Sequence, residues 1–295
     1  MRALSRIVVV VGLVTSGPAW ADKSADASYK EGLAFKQEGK TDQAIAAMQD
    51  AVAANPKHGM AWASLGSLYK QKKDLPKSID AYEHATALIT KDPILWTNLG
   101  TAYANTNRLD DAQRVLAIAC KLNPKDPDAH AYLGTVDRKK NDYNGAIANL
   151  EIAVKLKPDN ADWEHNLGVA YRFAKRDDDA IKAFEKAIEL DGNEAAFHFD
   201  LAVAYRRKQE PDKAIPEYEK ATSLQPDNAD GWFDLGFMYK ENHDNDKAID
   251  AFKHYLDLKQ ASDPDGAKRV TDECQALGGD CGKAAKKPGT KSPKK

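Results

Sequence analysis

The chain has 295 residues, with 43 basic against 45 acidic side chains, a formal charge of −2 and three cysteines. A balance this close to zero excludes a globally basic nucleic-acid binder, so no nucleic-acid partner is expected. The balance is uneven, however. Residues 283–295 carry six lysines and no acid, and with those and Arg2 and Arg6 set aside the remainder holds 35 bases against 45 acids.

Residues 1–21 read as an export signal. Arg2 and Arg6 precede the apolar run Ile7 to Val14, Gly17 and Pro18 break any helix, and Ala19-Trp20-Ala21 supplies a small-x-small cleavage pattern. The run is too short to span a bilayer, which takes ~20 apolar residues. The expected location is outside the inner membrane, in the periplasm of a Gram-negative bacterium. From residue 25 a 34-residue period takes over. Leu65-Gly66, Leu99-Gly100, Leu133-Gly134, Leu167-Gly168 and Leu235-Gly236 fall on one lattice, with Leu201-Ala202 in the remaining slot. A fixed period of this size marks an array of one supersecondary unit. Windows starting at Ala25, Gly59, Pro93, Pro127, Ala161, Ala195 and Ala229 align seven units over 25–262.

Each window predicts two helices. Trp62, Leu65, Gly66 and Tyr69 make a +3, +4, +7 stripe on the first, and Ser78, Tyr82 and Ala85 mark the second. Glycine inside a helix costs ~1 kcal/mol against alanine, so a glycine repeated at this slot predicts a close helix–helix approach. Asp42, Asp110, Asn144, Asp178, Asp212 and Asp246 are expected as caps or first-turn acids of the second helices. Prolines 56, 124, 158 and 226 stop those helices. Pro216 inside the sixth unit predicts a local bend.

Trp62…Leu65-Gly66…Tyr69…Ser78…Tyr82…Ala85 and Trp232…Leu235-Gly236…Tyr239…Ala248…Phe252 resemble tetratricopeptide repeats. The resemblance covers nearly all of the chain after residue 24. It implies an all-α, right-handed superhelical solenoid of seven helix-turn-helix units: 25–58, 59–92, 93–126, 127–160, 161–194, 195–228 and 229–262. For function it implies only a binding scaffold. Departures from the pattern locate special units. Ser28 and Glu31 suit an end unit facing water. Asp137 and His130 replace the aromatic residues of the fourth unit and mark it as the weakest. Tyr255 replaces an interface alanine, as expected of a last unit covered by something different. That cover is predicted over 263–281: a capping helix with Val270, Cys274 and Leu277 on one face, and a disulfide between Cys274 and Cys281. Cys120 is expected to be a small buried side chain. The Lys/Pro/Gly/Ala segment 282–295 is expected to be disordered.

No phosphate-cradling glycine loop, HExxH or GxSxG occurs, so no enzyme activity, cofactor or metal is expected. His130 and His198 sit in packing slots, and Asp177-Asp178-Asp179 reads as a solvated first turn rather than a calcium site. The resemblance implies that first helices line a concave groove. Its slots in the later units hold His165, Val169, Phe173, Phe199, Val203, Phe233 and Phe237. Either the groove presents these side chains or closure of the superhelix buries them. Arg172, Arg206, Arg207 and Lys240 would form a basic edge beside that floor. The expected partner is a protein or peptide segment carrying aromatic and acidic residues, in envelope assembly, secretion or pilus biogenesis. The oligomeric state is left open. An alternative is an envelope tether, with the lysine tail making weak contact with anionic lipid or polysaccharide.

Overall fold

The computed structural model describes residues 24–282. The expected export signal, and the lysine tail from residue 283 on, lie outside the described residues. Within them the chain is all-α, a helical-repeat solenoid of fifteen helices. None of these helices is long and apolar enough to cross a membrane.

The helices fall in two compact units, dividing after Thr106. The first unit holds α1 (Ala25–Gln37), α2 (Thr41–Ala54), α3 (Gly59–Gln71), α4 (Leu75–Leu88) and α5 (Pro93–Asn105). The second holds α6 (Leu109–Leu122), α7 (Pro127–Lys139), α8 (Tyr143–Leu156), α9 (Ala161–Phe173), α10 (Asp177–Leu190), α11 (Ala195–Arg207), α12 (Pro211–Leu224), α13 (Ala229–Glu241), α14 (Asn245–Lys259) and α15 (Pro264–Ala276). Odd-numbered helices up to α13 are the first helices of the repeats, and even-numbered ones the second.

The repeated glycine has a direct steric cause. A Cβ at Gly66 would stand 2.6 Å from the Tyr82 ring, at Gly168 2.6 Å from Phe184, and at Gly236 2.5 Å from Phe252. These separations are impossible for a real Cβ, so the large residue of the second helix lies directly over the glycine. The small residue one turn earlier supplies the second contact: Ser78 Oγ donates to the Gly66 carbonyl at 2.8 Å.

The turn between paired helices is equally regular. Gly39 adopts φ 74°, and Lys73, Asn107, Asn141, Lys175, Gln209 and His243 hold the same left-handed conformation at φ 60–63°. Only glycine takes it without cost, so six side chains accept strain at this slot. The next residue closes the turn; Asp74 N–H, for example, donates to the Tyr69 carbonyl at 2.9 Å. That residue is also the cap. Asp74, Asp142 and Asp244 accept from the third amide of their helices. Asp42, Asp110, Asp178, Asp212 and Asp246, expected as caps or first-turn acids, lie two residues further on, in the first turn. Some of them also pair between repeats: Asp110 with Lys140 at 2.5 Å and Asp178 with Lys208 at 2.5 Å.

Repeats are also joined by a tyrosine–glutamate bond. Tyr171, Tyr205 and Tyr239 donate to Glu151, Glu185 and Glu219 on the preceding second helix. Burial first, and then the bonded carboxylate, push these phenols above their ordinary range. The fourth repeat differs. Asp137 stands in the tyrosine slot and Ala117 in the glutamate slot. Asp137 is buried and accepts from Gln113 at 2.7 Å and from Asn149 at 3.1 Å. Lys140 donates to Gln113, and Asn149 Oδ1 meets His130 Nδ1 at 3.1 Å. The fourth repeat is thus a connected polar core in which both Asp137 oxygens are bonded.

One expectation changes. Ser28 is buried rather than facing water, and its Oγ has no partner. Helix α12 runs unbroken through Pro216. His130 and His198 are buried, as expected of packing residues, and they also reproduce an indole bond. Trp232 Nε1 donates to the Pro226 carbonyl at 2.9 Å, and the histidines place Nε2 3.3 Å and 3.2 Å from the Pro124 and Gly192 carbonyls.

The last second helix, α14, is covered by α15. Val270 and Cys274 are fully buried against the core, and Leu277 is partly buried there. Tyr255 donates to Asp263 at 3.0 Å and packs directly against Gly266, where any side chain would collide. Cys274 and Cys281 form a disulfide with Cα atoms 6.1 Å apart. Cys120 is a buried free thiol, its pKa pushed up to about 11 by burial.

Candidate functional site

The second unit presents a face built from the first helices α7, α9, α11 and α13. Its floor is set by the repeat register. Val169 and Val203 are buried and belong to the core. Phe199 is partly buried, edge-on to Tyr218 with centroids 5.7 Å apart. Phe233 and Phe237 are partly buried and touch each other at 4.8 Å. They are not open groove aromatics: the Arg269 guanidinium of α15 lies over both rings, at 5.3 Å and 4.7 Å. Phe173 is the exposed one, 50% accessible at the end of α9. Tyr143 stacks on it at 5.0 Å with planes 8° apart, and Arg172 lies 4.8 Å from its centroid.

The basic edge is internally paired. Arg172 bonds Asp200 at 3.1 Å, Arg206 bonds Asp234 at 2.6 Å, and Lys240 bonds Glu273 of α15. Arg207 turns away, to Asp177 in the first turn of α10 at 2.8 Å. His165 Nε2 sits 2.8 Å from the other oxygen of Asp200, and its ring lies 4.7 Å from Phe197. A ladder of charge pairs therefore runs from α9 to α11, from α11 to α13 and from α13 to α15. Asp234 also accepts from Tyr218 at 3.2 Å; burial and this carboxylate push that phenol well above its ordinary range.

The sequence pattern marks the bases and leaves the acids unremarked. The signal was present: Asp200 and Asp234 each stand 28 residues after their arginine, on the same 34-residue lattice. Arg138, in the same slot as Arg172 and Arg206, has Asn166 at that offset. Its side chain makes no hydrogen bond or ion pair among the described residues, and its buried Nε has no acceptor. Burial, the largest cause, lowers its pKa; the nearby Asp200 and Tyr143 oppose this, and the Arg172 charge adds to it.

A separate cavity of about 520 Å³ opens among α12, α13 and α14, lined by Trp232, Tyr239, Lys247 and His254. His254 stacks on Trp232 at 4.3 Å. No group of three or more histidine, cysteine or acidic side chains among the described residues is arranged to hold a metal.

Paired helices in a constant register, joined by side-chain ladders, define a helical-repeat scaffold. The sequence matches agree. Models of the tetratricopeptide repeat match residues 29–93, 93–136, 161–194 and 229–262, and a further TPR-repeat model matches 134–172 and 204–242. The chain belongs to the tetratricopeptide-repeat family. Among solved structures it is similar to MamA, at 27% identity and TM-score 0.53 over 55% of this chain and 95% of that one. A MamA fragment from Desulfovibrio magneticus RS-1 is 24% identical, with TM-score 0.55 over 58% and 96%. YrrB, described as a TPR protein with an unusual peptide-binding site, is 22% identical, with TM-score 0.56 over 61% and 93%. At these identities the last two likenesses establish the fold alone. No curated protein matches the chain.

Proposed function

We propose that the chain is a non-enzymatic exported scaffold that holds a segment of a protein partner on the first-helix face around α7 and α9. The observation that carries this reading is Phe173, half exposed and fixed between Tyr143 and Arg172. An exposed aromatic held rigid by its neighbours offers contact area with little ordering entropy left to lose on binding. The peptide-binding site described for YrrB is consistent with such a use of the fold. Export to a Gram-negative periplasm rests on the sequence of residues 1–21, and a role in envelope assembly, secretion or pilus biogenesis rests on that location.

The test is selection of peptides from a random library on the full chain, with the bound segment then mapped by hydrogen exchange. Protection of the α7 and α9 segments, abolished in Phe173→Asp, is the expected result. No selected binders, or protection confined to the cavity beside Trp232 and His254, contradicts it.

A further inference from the structure

We propose that Arg138 is a carboxylate-recognition site for an acidic group of the bound segment, Asp or Glu side chain or C-terminus, next to the Phe173–Tyr143 stack. This rests on the proposed use of the α7–α9 face and deepens it. The repeat lattice itself shows what a guanidinium in this slot takes. Arg172 holds Asp200 and Arg206 holds Asp234, each through a carboxylate oxygen at 3.1 Å or less. At Arg138 the corresponding residue is Asn166, whose amide is donated to the Asp162 carbonyl at 2.7 Å. Asp200 acts on Arg138 through its charge, but its two oxygens are already held by Arg172 and His165.

Arg138 is therefore half-buried, loses part of its hydration, and gains no direct partner in return. Its Nε is shut off from solvent without an acceptor, and so is that of Arg172. Arg172 adds a like charge that Asp200 balances, so the unmatched guanidinium an incoming anion meets is that of Arg138. A carboxylate completes the row by the fork geometry that arginine offers. The Phe173 and Tyr143 rings beside Arg172 supply the apolar contact, so a carboxylate carried by a peptide with a nearby aromatic residue fits better than a bare anion.

The probes are labelled, amidated peptides with one phenylalanine and one glutamate one to four residues apart, their glutamine analogues, and analogues with a free C-terminus and no glutamate. Binding to the full chain is read by fluorescence anisotropy. Glutamate or free-terminus peptides are expected to bind at least about tenfold more tightly than glutamine peptides, the scale of one charge-assisted pair. Arg138→Ala removes that preference. Asn166→Asp also removes it, by supplying the carboxylate from within, and circular dichroism confirms that both variants fold. Which acidic set gains identifies side chain or terminus as the source. Equal binding of glutamate, free-terminus and glutamine peptides, or a preference that survives in Arg138→Ala, overturns the assignment. If glutamine peptides bind equally well and Phe173→Asp abolishes it, the α7–α9 face remains the binding surface and only the Arg138 site falls. If no peptide binds, both fall.

Discussion

Two stretches of the same face, at α9 and at α13, differ in the helix that comes next. At α13 that helix is α15, and it consumes what the face offers: Arg269 lies over Phe233 and Phe237, and Glu273 takes Lys240. At α9 the next first helix supplies Asp200 to Arg172 but nothing over Phe173, and the repeat before leaves Arg138 unmatched. Repetition thus tends to satisfy each slot from its neighbour. Openness arises where one partner of a lattice pair has been replaced, as with Asn166, or where a side chain such as Phe173 stands alone in a slot that holds Lys139 and Arg207 in the repeats on either side.

The closed end can be opened by degrees. Reducing Cys274–Cys281 should have the largest effect. Closing so short a loop is worth about 2–3 kcal/mol in the chain-entropy account. Hydrogen exchange should then rise in α15 and leave α7–α9 unchanged; equal loosening of both would erase the contrast between them. At the other stretch, Asp137→Ala leaves the Gln113 and Asn149 amides without their acceptor, a loss of about 1–3 kcal/mol by urea denaturation.

Asp137 also predicts a pH effect. Burial, the dominant cause, raises its carboxyl above the ordinary value. The folded chain therefore binds this proton more tightly than the unfolded chain. The contribution of Asp137 to stability is best below the unfolded pKa and declines as pH rises through the raised folded value. Asp137→Asn should lack that decline, so the wild-type-minus-variant difference in stability should fall as pH rises; an unchanged pH slope would show that the carboxyl is not held above its ordinary value.

Smaller effects refine the contrast. Arg269→Ala removes a cation–π contact worth about 0.5–1 kcal/mol and bares Phe233 and Phe237. Binding of a hydrophobic dye should increase, and if it does not, α15 was not their cover. Lys175→Gly relieves a left-handed turn residue at φ 61° and should gain about 0.5–1 kcal/mol in thermal unfolding. A loss there would mean that the lysine side chain contributes more than its backbone costs.

The fold was legible because each repeat states the same constraints again. The glycine beneath Tyr82 or Phe184 recurs at every unit but one, so its steric cause could be read without coordinates. The site was less legible. Phe233 and Phe237 stand in the expected slots, but their cover comes from Arg269, in a helix that departs from the repeat pattern. Arg172 and Arg206 were visible as bases, whereas their charge is cancelled by acids 28 residues on, an offset that no single repeat reveals. Asp137 looked like a defect because its compensation is spread over Gln113, Asn149 and the absent glutamate at Ala117. Asp42 and its equivalents were legible as acids near a helix start and do lie in the first turn, whereas the pairing of some of them between repeats was not, because such an acid suits a cap, a first turn and an inter-repeat pair alike.

Hydroxyl-radical footprinting of the full chain reads the exposure of each aromatic side chain directly. Phe173 should be oxidised rapidly in the free chain and protected by a bound acidic peptide, while Phe233 and Phe237 react slowly in both states. Rapid oxidation of Phe233 and Phe237, or their protection by the peptide in place of Phe173, would contradict the account.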